Sequence, residues 1–272
     1  MTLSHADPRP LYQQLAAVLR DQIRAGELAP GARLPTEAVL SQTYDASRNT
    51  VRDAIDVLRR EGLVESRQGR GAWVRQSRLA VVRKLPERYR WEKERARNDE
   101  GVRATTGATE HDTGLKVDDL VFTSTYDSSG ATDELAELFG VPAGTQLLRR
   151  SYTTRYRDER APLGVSQSYL VYAAVAGNPD LLDANNEPWP GGTLHQLSTV
   201  GIEVDHIVDE VSARPPSAEE MTALGLPEGT PVIATRKTSF DIHGRVVEVS
   251  DIVQAGDRAK IRFTSQLNRW ET

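Results

Sequence analysis

Residues 26–74 carry the pattern that most restricts how this chain can fold. They run GELAPGARLPTEAVLSQTYDASRNTVRDAIDVLRREGLVESRQGRGAWV. Helical patterns occupy the first part of this segment, and a short apolar stretch and a basic, glycine-rich turn follow them. The segment ends in a second short apolar stretch. This order predicts two adjacent helices and then a strand, a tight turn and a returning strand.

The helix predicted over residues 47–60 has two different faces. Its apolar residues recur at the spacing of one helix face: Val51, Ala54, Ile55 and Leu58. Ser47 is a natural N-cap for this helix. Arg48, Asn49 and Arg52 lie near its start on the opposite face. Arginine and asparagine have paired hydrogen-bonding groups that match guanine and adenine edges in the major groove, so this helix is predicted to recognise DNA.

The flanking segments complete the same unit. An upstream helix is predicted to start at Thr36, whose hydroxyl caps it, and to end near Tyr44. Residues 63–66 and 72–74 are predicted strands, and residues 67–71 form the tip between them. Arg67 and Arg70 at a glycine tip would let the backbone approach phosphate or the minor groove. Together these elements predict a winged helix-turn-helix domain.

The same residues resemble the GntR family of bacterial transcription regulators, through residues 10–12, 26–31 and 34–37. In that family, DNA contacts come from the start of the recognition helix and from the wing tip. The predicted DNA-binding residues are Thr36, Ser47, Arg48, Asn49, Thr50, Arg52, Arg67, Gln68, Gly69 and Arg70. Ala38 stands where family members often have a DNA-contacting arginine, so the resemblance does not give the target sequence.

Composition indicates a cytoplasmic protein of two domains. The 272 residues exceed one average domain, and no apolar run approaches the length of a membrane span. The N-terminus lacks the pattern of a signal peptide. The absence of cysteine excludes disulfides, thiolate metal sites and a cysteine nucleophile. Residues 1–78 carry a net charge of +3 and the remainder −8, which places DNA on the N-terminal part.

Domain boundaries follow from these patterns. We predict a DNA-binding domain over residues 1–76, a linker over 77–99 and a second domain over 100–272. Residues 87–97 alternate acidic with basic side chains, which is typical of a solvated helix. Arg88, Arg90 or Lys93 could instead contact DNA phosphates, but the solvated linker is the favoured interpretation.

The C-terminal half contains an internal repeat. Residues 138–145 match residues 223–230 at an offset of 85. Each copy follows a short helix, capped by Thr132 or Ser217 and stopped by Gly140 or Gly225. Each copy continues into a strand, 147–156 or 232–240, and a returning strand, 163–171 or 246–253. The chain is therefore predicted to be α+β, its second domain a mixed α/β unit with a mostly antiparallel sheet and pseudo-twofold symmetry.

This half resembles the UTRA domain of the HutC branch of the GntR family, over roughly residues 100–268. The resemblance is carried by residues 224–232, Arg236, 247–250 and 257–258. It implies a chorismate-lyase-like fold with a site between sheet and helices that binds small, often anionic, metabolites. The domain would act as an effector sensor and supply most of a dimer interface.

Polar residues on the two repeated hairpins are the candidate effector contacts. Arg155 and Ser166 come from the first hairpin, and Arg236, Glu248 and Ser250 from the second. An arginine beside hydroxyls suits a phosphate or carboxylate, and a glutamate suits a sugar hydroxyl or an amine.

Two departures from the family count against a phosphosugar effector. Thr153 stands where phosphosugar-binding relatives often have arginine, and Ser166 stands where they often have glutamate.

Other chemistry finds little support in the sequence. The five histidines have no metal-ligand spacing, and no nucleotide-binding glycine loop or nucleophile elbow is present. We therefore expect no cofactor, no metal site and no catalysis. The predicted protein is a homodimeric repressor that binds palindromic half-sites of operator DNA and is released by a small-molecule effector. The alternatives are an effector-independent repressor, for example of plasmid transfer genes, and an enzyme built on the C-terminal fold.

Overall fold

The computed structural model describes residues 3–4, 6–67, 71–76, 80–226 and 229–267. The chain divides into two compact units, Met1–Leu79 with Leu226–Pro231, and Ala80–Gly225 with Val232–Thr272. Within the described residues, no helix combines the length and the apolar character that crossing a membrane requires.

The first unit is a three-helix bundle with a β-hairpin. Its elements are α1 (Leu11–Arg24), α2 (Glu37–Tyr44), α3 (Arg48–Arg60), β1 (Val64–Arg67) and β2 (Gly71–Val74). The two strands pair antiparallel, and Arg33 forms an isolated bridge with Trp73. The predicted helix–helix–strand–strand order is confirmed, and Gln68, Gly69 and Arg70 of the predicted tip lie outside the described residues.

Capping and burial explain why α2 and α3 form where they do. The Thr36 hydroxyl accepts the Val39 backbone N–H at 3.3 Å, and Ser47 caps α3 by accepting from Thr50 N–H at 3.1 Å. Val51 and Leu58 on α3 are fully buried. Both predicted caps and the predicted apolar face of α3 are therefore confirmed.

The second unit contains the remaining elements. Before the repeat lie β3 (Val81–Leu85), α4 (Glu87–Ala96), α5 (Glu100–Arg103) and α6 (Ala108–Thr113). The first half of the sheet contributes β4 (Leu120–Gly130), α7 (Asp133–Phe139), β5 (Gln146–Tyr156), β6 (Pro162–Val171), α8 (Tyr172–Val175) and α9 (Gly192–Ser198). The second half contributes β7 (Val204–Arg214), α10 (Ala218–Ala223), β8 (Val232–Asp241), β9 (Val246–Ala255) and β10 (Ala259–Phe263).

Six of these strands form one antiparallel sheet in the order β4-β5-β6-β9-β8-β7. The two copies of the repeat therefore run inward from opposite edges, β4-β5-β6 from one and β7-β8-β9 from the other. They meet where β6 pairs with β9, with Ser168 opposite Ser250. The predicted repeat and the mostly antiparallel sheet are confirmed, and each copy has one more strand than the sequence indicated.

The two faces of this sheet are covered by different helices. Leu148 and Leu170 face the side on which Val175 of α8 and Leu197 of α9 are buried. Leu147 and Val249 face the other side and pack with α7, whose Leu135 and Phe139 are buried. The first of these faces continues from the apolar cluster into a set of polar residues, which are described below.

The structure differs from the predicted linker over residues 77–99. Strand β3 pairs in parallel with β10, and α4 packs against β3 and α9. Arg88 on α4 is 14% exposed and bonded to Glu92 and Asp112. The segment is therefore part of the second unit rather than a connector, with Arg88 and Glu92 in largely buried ion pairs and Glu87, Arg90, Glu94 and Arg97 exposed to solvent.

Candidate functional site

The start of α3 presents hydrogen-bonding side chains to solvent. Arg48, Asn49 and Arg52 are exposed, while Val51 between them is buried. Among the described residues, the side chains of Arg48 and Asn49 have no partner. Arg52 Nε donates to Glu37 Oε2 of α2 at 2.9 Å. The arrangement leaves two side chains of the types that recognise base edges unengaged at the first helical turn.

Hydroxyl groups beside these residues are partly engaged. Ser47 Oγ lies 2.9 Å from Thr50 Oγ1, and both Ser47 and Thr36 accept a backbone N–H as caps. Thr36 keeps its own O–H when it accepts that bond, and of Ser47 and Thr50 one uses its O–H in the bond between them; the O–H groups that are left can donate to a phosphate.

The wing has one basic residue that sequence analysis missed. Arg67 ends β1 with its backbone opposite Gly71, and the rest of the predicted tip lies outside the described residues. The guanidinium of Arg33 lies over the Trp73 ring, 5.5 Å from its centroid. Arg33 lies between residues 26–31 and 34–37, two of the segments that carried the family resemblance, and it has no periodic pattern of its own that would have placed it beside the wing.

The second unit encloses a cavity of about 700 Å³. Its floor is the polar part of the sheet face, and its roof is formed by β3, α4, α6 and the segment 187–193. Cavities of this size accommodate a small organic ligand. The apolar residues Val81, Leu120, Leu163 and Ile252 line part of its wall.

Strand alternation builds the floor. On neighbouring strands, Arg150 of β5 lies opposite Ser168 of β6, and Ser168 lies opposite Ser250 of β9. Ser250 in turn lies opposite Lys237 of β8. Successive side chains of a strand point to opposite faces, so Glu248 lies on the same face as Ser250. All of these residues except Arg150, which is 1% exposed, line the cavity.

Glu248 is the centre of the floor. Its Oε1 accepts from Arg150 Nη2 at 3.0 Å and from Ser168 Oγ at 2.7 Å, and its Oε2 lies 2.8 Å from Lys237 Nζ. Burial alone would raise the pKa of Glu248, but the charges of Lys237 and Arg150 and the hydrogen bonds from Lys237 and Ser168 outweigh it. They bring the pKa to about 2. The carboxylate is therefore ionised, and its two cations are engaged.

A second carboxylate, Glu187, lies in the roof of the cavity, at the start of the segment 187–193. Its Oε1 accepts from the hydroxyls of Tyr126 and Tyr152 and, at 2.9 Å, from Gln196 Nε2. Its Oε2 accepts from the backbone N–H of Trp189 at 2.7 Å. Burial raises the pKa of Tyr126 to about 12, and burial raises the pKa of Tyr152 as well, so both phenols stay protonated and can donate.

The roof is held to the floor by polar contacts. Tyr89 of α4 donates its hydroxyl to Asp209 Oδ1 of β7 at 2.9 Å. Arg88 Nε donates to Glu92 Oε1 at 2.9 Å, and Arg88 also bonds Asp112 of α6. The bond of Tyr89 joins α4 to the sheet, and the bonds of Arg88 join residues of the roof to one another.

Three of the five predicted effector residues line the cavity and two do not. Ser166, Glu248 and Ser250 line the cavity, whereas Arg155 and Arg236 do not. The interpretation of both arginines as cavity residues was wrong because each is displaced by one residue from a cavity-facing position of its strand, and a one-residue step reverses the face.

Both arginines have structural partners instead. Arg155 Nη1 donates to the carbonyl oxygens of Arg157 and Glu159, at 3.1 and 3.2 Å, in the turn between β5 and β6. Arg236 pairs with Asp251, Nε to Oδ1 at 2.7 Å, and with Glu134 of α7.

Sequence reasoning missed most of the charged residues of the cavity. Among them, Arg83, Arg88, Glu187 and Lys237 line the cavity, and Arg150 is buried against Glu248 of the floor. Arg150 and Lys237 stand on predicted strands and share a face with predicted site residues, so period-two counting from the correct register could have found them. Arg83 and Arg88 lay in the predicted linker, and Glu187 in a segment without a periodic pattern.

Comparison with known proteins agrees with this two-unit arrangement. Residues 11–74 match the family described as bacterial regulatory proteins, gntR family, and residues 124–260 match the UTRA domain. The first match covers the three helices and the hairpin, and the second covers the six-stranded sheet apart from the first four residues of β4.

Similar proteins extend along almost the whole chain. An HTH-type transcriptional regulator of Rhizobium meliloti is 30% identical, over 93% of this chain and 94% of that protein. The HTH-type transcriptional repressor NagR of Bacillus subtilis is 23% identical, over 95% of this chain and 96% of its own. A solved GntR-family transcriptional regulator is 27% identical with a TM-score of 0.65, covering 96% of this chain and 99% of that one.

Proposed function

The chain belongs to the GntR family of bacterial regulatory proteins, in the branch with a UTRA domain, and we propose that it is a repressor released from its operator by a small molecule. The observation that carries the effector role is the cavity of about 700 Å³ between the polar sheet face and the roof of the second unit. Its floor and wall offer charged and hydroxyl groups to a ligand. The similar proteins are transcriptional regulators, and we propose that the ligand is bound without being turned over.

We propose that the first unit contacts DNA through the start of α3 and through the wing. Arg48 and Asn49 would contact base edges, and Arg52 a base or a phosphate. Thr36, Ser47 and Thr50 would add phosphate contacts through their hydroxyls. The wing residues Arg67, Gln68, Gly69 and Arg70 complete the proposed surface.

For the second unit we propose that Ser166, Glu248 and Ser250 contact the effector, together with Lys237. Effector binding would favour a state with a lower operator affinity because the ligand makes different contacts in the two states. The proposed site of action is the cytoplasm, where the operator is.

The effector role is tested by a metabolite screen on the full chain. A ligand at a hundredfold excess over its Kd is expected to stabilise the folded protein by about 2.7 kcal/mol. At about 2–4 °C per kcal/mol, this is a readily measured rise in Tm. The same ligand should release DNA that the full chain has selected from a random library, measured by fluorescence anisotropy. Ligands that raise the Tm without releasing DNA would contradict the proposed coupling.

The full chain is expected to sediment as a dimer. Two linked winged units bind two half-sites of a palindrome far more tightly than one unit binds a single half-site. Selected DNA should therefore contain an inverted repeat. A monomeric protein in sedimentation equilibrium, or a selected site without an inverted repeat, would contradict this assignment.

A further inference from the structure

The first unit includes a short segment from far along the chain. Leu226–Pro231 belongs to this unit, although in sequence it lies between α10 and β8. The structure describes residue 226 and residues 229–231 of this segment, which we call the strap. Leu226 is 8% exposed and Thr230 is 3% exposed. The first unit therefore contains buried residues that lie outside the matched range 11–74.

The strap lies against the C-terminal end of α3. Gly229 has a φ of +79°, and a Cβ at this position would overlap the carbonyl oxygen of Arg60, the last residue of α3. Glycine is the residue that permits such an approach between two backbones. Arg75, which follows β2, donates from Nη1 to Thr230 Oγ1 at 2.9 Å. A Cβ at Gly62, in the turn after α3, would lie 3.6 Å from the same hydroxyl. The strap is therefore held both at the end of α3 and at the residue that follows the wing.

The internal repeat contains the same turn without these contacts. Gly144 and Thr145 are the residues of the first copy that match Gly229 and Thr230. Gly144 also has a φ of +79°, but in the described part of the chain a Cβ there would meet no atom within 4 Å. Thr145 donates its hydroxyl to the carbonyl oxygen of Pro142 in its own turn, at 2.7 Å. The shape of the turn therefore belongs to the repeat, whereas the contacts with α3 and Arg75 belong to the second copy.

The strap continues directly into a strand of the cavity floor. β8 starts at Val232, immediately after Pro231, and pairs on both sides, with β7 and β9. Its Lys237 lies 2.8 Å from Glu248 in the floor of the cavity. Packed secondary elements carry energetic coupling between distant sites. A change in β8 therefore reaches the strap through consecutive residues of the chain.

We propose that the strap couples the state of β8 to α3, with Gly229 and Thr230 as the positioning residues at the end of that helix. Coupling between two sites is reciprocal, so DNA bound by α3 must also act on β8 through the same contacts. This inference rests on the proposed DNA binding by α3 and adds the route by which binding in one unit affects the other. Because of reciprocity, DNA itself serves as the probe, and the effector need not be identified.

The strap is tested by hydrogen exchange of the full chain, measured by mass spectrometry. The exchange is compared without DNA and with a saturating duplex that the full chain has selected from a random library. In the parent, DNA should slow amide exchange at the start of α3. It should also slow exchange in residues 232–235 of β8, by about fivefold or more, which is the lower end of ordinary coupling between sites.

Two variants break the strap in different ways. Thr230→Val keeps the shape of the side chain but cannot accept the bond from Arg75, and Gly229→Ala places a Cβ against the carbonyl oxygen of Arg60. Both should keep the response to DNA at the start of α3 and lose it in residues 232–235. Thr230→Ser keeps the hydroxyl and should keep the response of β8. The matched control is Gly144→Ala, which has the same backbone strain without the overlap and should respond like the parent.

The exchange at α3 and the exchange at β8 decide separate points. If DNA slows exchange at α3 but not in residues 232–235 of the parent, the strap is overturned and the DNA-binding function stands. A β8 response that persists in both strap variants, or that is lost equally in Gly144→Ala, also overturns the strap. A lost response in Thr230→Ser contradicts the role of the hydroxyl. If the parent shows no response at α3, the proposed function fails and the strap fails with it. If one strap variant does not fold, the other decides alone, and if neither folds, the response of the parent decides.

Discussion

Replacing Glu248 by alanine is expected to lower the free energy of unfolding of the second unit by about 3–5 kcal/mol. The carboxylate is 1% exposed and bonded to both Arg150 and Lys237, so its removal leaves two cations facing each other without their shared anion. Charged groups that lose their partner in the interior pay the full penalty of desolvation. The measurement is urea unfolding of the full chain, followed by circular dichroism.

The matched control is Glu134→Ala, which also removes a carboxylate from an arginine. Glu134 pairs with Arg236 but is 65% exposed, so water solvates the arginine once the partner is gone. Exposed ion pairs contribute up to about 1 kcal/mol, and the control should change stability by no more than that. Equal losses of unfolding free energy in the two variants would show that the burial of Glu248 does not determine its contribution to stability.

The ionisation of Glu248 also makes the free energy of unfolding depend on pH. The folded pKa of Glu248 is about 2, below the ordinary value of 4.5, so the unfolded chain takes up the proton first as the pH falls. The stabilisation is fully present above about pH 4.5 and is lost as the pH falls towards 2. It amounts to about 3 kcal/mol. In Glu248→Gln this part of the acid dependence should be absent, with the remaining carboxylates titrating as in the parent.

The first unit could be predicted almost completely because its signals are local. The helix period, the Thr36 and Ser47 caps and the short apolar stretches of the hairpin each depend on residues close together in the sequence. The side chains assigned to DNA recognition are those that the amphipathic pattern leaves outside, which is why Arg48 and Asn49 are found exposed.

The repeat in the second unit predicted four of the six strands of the sheet. The two that it missed, β4 and β7, form the edges, and each has only one fully buried residue, Leu120 in β4 and Val204 in β7. An edge strand buries few side chains, so it lacks the apolar run by which β5, β6, β8 and β9 were found.

The cavity could be predicted only in part because it depends on long-range register. Glu248 and Ser250 were placed on one face by their spacing of two, but the face that Arg155 or Arg236 occupies depends on which residue of the neighbouring strand lies opposite. The roof was missed for a different reason. An alternating run of charges has the same pattern whether it is solvated or, as at Arg88, buried in ion pairs.

Replacing Arg48 by alanine is expected to weaken operator binding more than any other single change in the first unit. Arg48 is exposed at the start of α3 and has no side-chain partner among the described residues. A bidentate contact between arginine and guanine contributes about 1–3 kcal/mol of discrimination. A dimer loses the contact in both half-sites, which gives about 2–6 kcal/mol, or a loss between about 30-fold and about 10⁴-fold.

The experiment must separate a lost base contact from a lost positive charge. Arg24→Ala is the matched control. Arg24 is exposed in the last turn of α1, so this substitution removes one positive charge at a position outside α2 and α3. Fluorescence anisotropy on the selected site and on a site altered at one position of each half-site should show that Arg48→Ala binds both almost equally, while the control still discriminates. An unchanged affinity of folded Arg48→Ala, or an equal loss in Arg24→Ala, would contradict the assignment of α3 as the recognition helix. A uniform loss across sequences without a change in discrimination would instead assign Arg48 to a phosphate, because phosphate contacts carry no sequence information.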